Sequence, residues 1–407
     1  MTGVAGAAPG GAAPGVPLSP MDDYPVHQIA EVIRHVGTSD RNFYDRYYFN
    51  CAPRLDGEGP AGADAPFLLI IGMGQYPNLG TADAFAVLRR GDDHLVVRAS
   101  KALGEDRMDT AVGPLRIEVI EGLRRLRVVL EPSPDNPDLS FDLTFTADAP
   151  AHLETRHFDR SLGRVTFDTQ RFVQTGTWSG SITVAQQTVP VTDAGWAGNR
   201  DRSWGVRPVG EAEPPGRRAE PAETERACFF WIYAVLRFSE FVIITILQED
   251  ADGARIVEDA VRLWRAPGRA PEPLALPEHS LRFVPGGREV AGAELTFQRR
   301  DGAGGLGEPL RIECTPSVAG YIGVGTGYGL EQDWRHGMWQ GPLAVQQLRR
   351  AVPEIAPWER MLCPVDNIAW CELTEGGRTE SGEGLFECAV IGAYPRYGFH
   401  GLGDVAE

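Results

Sequence analysis

The chain has 407 residues, too many for one ordinary hydrophobic core, so two domains are the default. Its 56 acidic residues against 39 basic ones give a formal charge of −17, a field that repels phosphate backbones and anionic headgroups and argues against nucleic-acid and polybasic membrane binding. The longest apolar runs, such as 241-FVIITIL-247, are far too short for a membrane span, and six scattered cysteines with no C-x-x-C pair argue against a zinc knuckle or a dense disulfide framework.

Residues 1–22 open on an Ala/Gly/Pro-rich run without Lys or Arg, which reads as a disordered tail and not as a signal peptide. In 24-YPVHQIAEVIRHV-36, Val26, Ile29, Ile33 and Val36 fall at helical spacing and predict one short helix. Beyond it the pattern turns to period two. The clearest case is 139-LSFDLTFTAD-148, where Leu139, Phe141, Leu143 and Phe145 alternate with polar residues, as in a half-buried antiparallel strand. Similar short runs separated by Gly, Pro, Asn or Asp recur from 67-FLLIIGMG-74 to 386-FECAVIGAY-394. Together they predict an all-β protein of two antiparallel barrels or sandwiches. A second helix is expected over 343-LAVQQLRRAV-352. The Pro/Glu/Arg-rich stretch 209–226 lacks an apolar stripe and reads as a solvated linker. The division expected is a domain over 23–192 and a second over 193–407.

Two short patterns occur twice: G-x-W-x-G at 176–180 and 337–341, and G-x-Y-P-x-x-G at 74–80 and 392–398. They suggest related halves, although their order inverts along the chain. The glycine-dense run 320-GYIGVGTGYG-329 follows no βαβ pattern and reads as a strand bending round a barrel corner rather than a dinucleotide loop. The eight histidines show no metal-ligand spacing. No cofactor motif is present, and neither a metal nor a cofactor is expected.

The chemistry-bearing residues concentrate in 195-GWAGNRDRSWGVRP-208. Read as a strand, its Arg200, Arg202 and Trp204 face one way and Asp201 and Ser203 the other. One reading is structural: Asp201 pairs with an arginine, and a guanidinium stacks on Trp196 or Trp204 at a domain crossing. The other makes Asp201 an acid/base group at the mouth of an apolar cavity, its proton affinity raised by desolvation and tuned by an arginine. A second cluster, 326-TGYGLEQDWRHGMWQGP-342, offers Glu331, Trp334, His336 and Trp339, with His336 as a proton shuttle, or equally a half-exposed histidine on an aromatic strand. Glu387, Tyr394, Arg396 and Tyr397 form a third cluster near the chain end. Tyr44, Tyr47 and Tyr48, with Asp45 and Arg46, either line an entrance or pack a strand.

The stretch 198-GNRDRSWGVRP-208, set between two β-rich halves, together with 74-GQYPNLGTAD-83 and 335-RHGMWQG-341, resembles the carotenoid 1,2-hydratase (hydroxyneurosporene synthase)/AttH-like superfamily, in an uncharacterised bacterial branch. The resemblance implies two lipocalin-like barrels and a large apolar cavity in or between them. It also implies hydration, dehydration or cyclisation of a terpenoid, polyene or lipid-like substrate, in which a carboxylic acid protonates an alkene between aromatic walls. The expected catalytic residues are Asp201, His336 and Glu331. Arg202, Trp204, Arg207, Trp334, Trp339, Tyr76 and Tyr394 are expected to line the substrate site. One departure stands out: the family's hydratases carry His after the aspartate, and this chain carries Arg202, which does not exchange protons near neutral pH. A carrier of the same hydrophobic small molecule without catalysis is the alternative. The partner expected is that ligand alone, in the cytoplasm, where the cysteines stay reduced.

Overall fold

A computed structural model describes residues 26–55, 66–161, 163–208, 228–266, 268–300, 306–328 and 331–407. The expected tail over 1–22 and linker over 209–226 lie outside the described residues. Strands dominate. In chain order they begin with β1 (Phe43–Pro53), β2 (Phe67–Tyr76), β3 (Thr81–Arg90), β4 (Asp93–Ala102), β5 (Ala111–Val112), β6 (Leu115–Glu121), β7 (Arg125–Leu130) and β8 (Leu139–Ala147). Then follow β9 (His152–Leu153), β10 (His157–Ser161), the long β11 (Arg164–Val184), β12 (Gln187–Val191) and β13 (Trp196–Val206). All of these belong to one curled antiparallel sheet, in which β13 lies between β1 and β11.

The second unit is a closed antiparallel barrel of β14 (Cys228–Arg237), β15 (Phe241–Glu249), β16 (Arg255–Trp264), β17 (Glu272–Phe283), β18 (Val290–Arg300), β19 (Leu306–Gly320), β21 (Val365–Glu375) and β22 (Arg378–Gly392). Between β19 and β21 the chain leaves the barrel, and β20 (Leu343–Ala351) joins the edge of the first sheet against β4. A short helix, α1 (Pro357–Met361), leads back. β13 (Trp196–Val206), which follows the expected boundary at residue 192, is a strand of the first sheet.

Three apolar clusters explain the runs that do not alternate. In β2, Leu69, Ile71 and Met73 fill the curled sheet, while Leu68 and Ile70 face the barrel. In β14, Ile232, Ala234 and Leu236 fill the barrel, while Tyr233 and Val235 face the sheet. Strands buried on both faces need apolar residues at every position, which is why 67-FLLIIGMG-74 has no polar face. The two interiors are packed with side chains, so the space for a ligand lies between the units.

Both expected helices are absent. Described residues 26–36 form turns and bends, and none of them is buried. A helix of three turns with no core for its apolar stripe is marginal in water. Residues 343–351 form a strand because the edge of β4 offers unpaired backbone groups, and cross-strand pairs reward the ladder: Arg98 donates to Gln346 at 2.8 and 3.0 Å, and Arg349 pairs with Asp93 at 2.6 Å. Tertiary pairing overrides helical spacing there. The run after Gly320 is a loop of turns, not a bending strand.

The repeated patterns occupy unlike places. Trp178 is fully buried in β11 and donates to the Asn50 carbonyl at 2.8 Å. Its flanking Gly180, at φ 130°, would place a Cβ 2.0 Å from the Asp142 carbonyl oxygen, so no other residue fits. Trp339, its counterpart, lies on a loop and is 55% exposed. All six cysteines are free, and five of them are buried.

Burial of imidazoles makes stability depend on acid. His94, which hydrogen-bonds the Val324 carbonyl at 3.0 Å, is held down to about 4 by desolvation. A depressed folded pKa means the unfolded chain binds the extra proton first, so this contribution is complete above the unfolded value near 6.5 and is lost as pH falls below it. Urea unfolding of His94→Gln should therefore show a drop in stability from pH 7 to pH 5 that is smaller than the wild-type drop by about 2 kcal/mol.

Candidate functional site

A cavity of about 550 Å³ opens along the seam between the curled sheet and the barrel. That is the size of an ordinary small-molecule site. Strand alternation decides what enters it. β1 turns Tyr44, Arg46 and Tyr48 to the seam, β13 turns Asp201 and Ser203, and β11 turns Thr169 and Arg171. From the barrel, β14 supplies Phe229, Trp231 and Tyr233, and β22 supplies Glu387 and Ile391. The loop after β19 adds Ile322, Tyr328 and His336, and Glu154 enters beyond β9. One wall is thus aromatic and aliphatic, and the other carries charge.

Asp201 sits opposite Tyr48 on β1 and Val173 on β11, at the centre of this floor. Desolvation raises its proton affinity above the ordinary aspartate value, against the pull of Arg171, Arg46, Arg207 and Arg202. Glu154 is also raised, first by burial, while Arg171 draws it back. The Arg171 guanidinium donates to Glu154 at 2.5 Å and lies 4.6 Å from the centre of the Tyr233 ring. The Tyr233 hydroxyl donates to the same carboxyl at 3.1 Å.

Behind these groups lies a carboxyl pair. Asp366 and Glu387 face each other across β21 and β22. The Tyr48 hydroxyl donates to Asp366 Oδ2 at 2.5 Å, and the Trp231 indole donates to Glu387 Oε1 at 2.5 Å. Burial pushes Asp366 well above the carboxylate range, and the charge of Glu387 and the hydrogen bond between the pair add to the rise. Glu387 is raised as well, first by burial, while the bond from Asp366 and the charge of Arg171 draw it back. The pair therefore shares one proton, held on Asp366.

His336 is 6% exposed and is kept neutral, its pKa lowered to about 4 by burial and then by Arg46. Its Nδ1 lies 3.4 Å from Asp83 Oδ2, which also accepts the Gly337 amide at 2.7 Å. A proton on Nδ1 facing Asp83 leaves the Nε2 lone pair free, and Nε2 is buried without a hydrogen-bond partner.

Of the residues singled out from sequence, Asp201, His336, Arg207, Tyr44, Tyr47, Tyr48 and Glu387 line the cavity. The other expected site residues lie elsewhere. Arg202 is on the opposite face of β13, paired with Asp45 at 2.8 Å and stacked over Tyr47 at 3.9 Å, so the Arg-for-His departure does not reach the cavity. Trp204 packs on Phe172. Glu331 accepts the Gly325 amide at 2.6 Å and braces its loop. Trp334 is buried under Arg98 at 4.3 Å, and Trp339 is exposed outside the cavity. Tyr76 is buried against Asp83, hydrogen-bonded at 3.2 Å. Tyr394 plugs the end of the barrel, stacked on Phe230 and hydrogen-bonded to Glu249. Sequence reading missed Glu154, Arg171, Tyr233, Trp231 and Tyr328 in the lining, and Asp366 behind it. Among the described residues, no group of three His, Cys, Asp or Glu side chains is arranged to hold a metal ion.

A family model described as "Family of unknown function (DUF8625)" matches residues 18–400. No curated protein matches in sequence. Solved structures similar to this chain include a putative AttH from Nitrosomonas europaea, at 14% identity and TM-score 0.49, covering 93% of this chain and 98% of the other. Kievitone hydratase from Nectria haematococca follows at 13% identity and TM-score 0.48, over 84% and 88%. CghA with Sch210972 stands at 10% identity and TM-score 0.47, over 86% and 88%.

The shared proton sets a stability pattern at position 366. Asn there keeps an acceptor for Tyr48 and a donor for Glu387, so Asp366→Asn should unfold within about 1 kcal/mol of wild type in urea. Asp366→Ala strands both partners and should cost ~3 kcal/mol.

Proposed function

The chain belongs to the family of unknown function (DUF8625), and we propose that its intersheet cavity binds a largely apolar small molecule and performs cofactor-independent acid–base chemistry on it: hydration, dehydration or cyclisation of an alkene-bearing terpenoid, polyene or lipid-like compound. The observation that carries this reading is Asp201, a buried carboxyl with raised proton affinity that faces a cavity walled by Trp231, Tyr233 and Phe229. A carboxyl whose proton affinity is raised by desolvation can act as the acid that protonates an alkene carbon or a leaving hydroxyl in a dry site.

In hydration, the Asp201 proton adds to one alkene carbon and the positive charge develops on the other. The faces of Trp231 and Tyr233 and the carboxylate of Glu387 stabilise that charge. Water then adds its oxygen to the cationic carbon and gives its proton to the Asp201 carboxylate, which restores the acid. Dehydration is the reverse. Cyclisation follows when a second alkene of the same molecule takes the place of water and the cation formed on ring closure gives a proton back to Asp201. The ionisable lining favours this reading over a passive carrier, for which an apolar wall suffices.

The test begins with the ligand. Native mass spectrometry of the purified protein should reveal a bound compound, and that compound should exchange a carbon-bound hydrogen for deuterium when incubated with the protein in heavy water. Asp201→Asn should lower that turnover by about 10²- to 10⁴-fold while the compound still binds. Because the protonated form is the reactive one, wild-type kcat/KM should fall as pH rises through the elevated Asp201 value, and the variant should lack that limb. A compound recovered unchanged, with no exchange in either protein, would make the cavity a carrier site.

A further inference from the structure

One corner of the cavity holds two polar atoms that nothing among the described residues satisfies. Arg46 is 5% exposed, and its Nη1 is buried without a hydrogen-bond partner. His336 Nε2 is buried and partnerless on the same wall. Tyr328 lies between them: its hydroxyl accepts from Arg46 Nη2 at 3.2 Å, and its ring stands edge-on to the imidazole at 4.6 Å. A buried guanidinium N–H and a buried imidazole lone pair each cost free energy when left unmatched, so their persistence on a cavity wall points to a ligand.

The two orphans differ in kind. Arg46 is a charged donor and stays charged, its proton held tighter by Tyr328, Tyr76 and Asp83 despite burial. His336 is neutral and has its Nδ1 engaged by Asp83, so Nε2 is an acceptor only. A carboxylate would satisfy the donor and repel the lone pair. A hydrocarbon would satisfy neither. A hydroxyl does both, because its oxygen accepts while its hydrogen donates.

We propose that the corner formed by Arg46, Tyr328 and His336 is a subsite for a phenolic or enolic hydroxyl of the ligand, accepting from Arg46 Nη1 and donating to His336 Nε2. This rests on the reading of the cavity as a small-molecule site. An sp²-bound hydroxyl is the better fit than an alkanol, because its O–H is the more acidic donor and its oxygen gains most from an adjacent guanidinium. The subsite would orient the ligand with its polar end at Tyr328 and its apolar body along Trp231 and Phe229, over Asp201.

The probe pair is β-naphthol against β-methylnaphthalene, which have nearly the same shape and differ by hydroxyl for methyl. Calorimetric titration of the wild-type protein should show the naphthol binding about 10- to 100-fold more tightly. Arg46→Met should erase that preference while leaving the affinity for the hydrocarbon unchanged, and His336→Gln, which keeps an acceptor, should retain part of it. Melting curves establish that each variant is folded. Equal wild-type affinities for the two probes overturn the subsite whatever the variants do. Failure of both probes to bind overturns the subsite and the ligand-site reading together. A preference for the naphthol alongside unimpaired turnover in Asp201→Asn upholds the subsite and removes the proposed acid.

Discussion

Charge buried in the seam between two β units must be paired or given up, and that constraint organises the molecule. Most of the seam resolves it by pairing. Arg237 meets Asp148 at 2.5 Å, Arg54 meets Glu383 at 3.2 Å, and Arg171 meets Glu154. Such pairs stabilise only when well satisfied, since desolvation opposes the attraction. Where pairing is incomplete, burial shifts the proton affinity instead: it rises at Asp201 and Asp366 and falls at His336. Asp201 and His336 line the cavity, and Asp366 lies behind it. The seam thus separates bracing ion pairs from groups left in an unusual protonation state, and only the latter are poised to exchange protons with a ligand.

The packed interiors of the two units make this arrangement necessary. Phe230, Ile232, Phe297 and Phe386 fill the barrel, and Phe49, Phe145 and Trp178 fill the curled sheet in edge-to-face contact. A site between units depends on how the units are held, and here β20, which leaves the barrel unit, pairs on the edge of β4 in the curled sheet. The backbone that emerges from the barrel at Gly320 also carries Tyr328 and His336 into the cavity before it becomes β20. Fold closure and site assembly are accomplished by one stretch of chain.

The β architecture was legible because alternation and double-sided burial leave direct marks in sequence. The alternation of Arg200, Arg202 and Trp204 against Asp201 and Ser203 correctly separated the cavity face of β13 from its back. The two helices failed because helical spacing is only a local signal. Residues 26–36 meet no core, and 343–351 meet an open sheet edge that outweighs it. The tryptophans misled for a related reason. Trp204, Trp334 and Trp339 lie close in sequence to Asp201 and His336, yet strand pleat and loop direction send them elsewhere. Proximity along a β chain says little about proximity in space, because neighbours point to opposite faces.

A usable signal for the missed residues does exist. Asp366 in 365-VDNIAW-370, like Glu387 in 385-LFECAVI-391, which the sequence does single out, is an acid whose neighbours on either side along the strand are buried. A carboxyl in such a setting has no solvent-facing position to occupy, so it must meet a cation, a donor or another carboxyl. Arg46 and Tyr48 carry a weaker form of the same mark in 43-FYDRYYFN-50, where the alternating face that avoids the sheet interior is aromatic and cationic at once. Each residue alone admits a structural explanation. Together, strands from both units that each aim a lone ionisable side chain out of an apolar background specify a shared polar surface between packed layers, and the cavity is where those layers fail to touch.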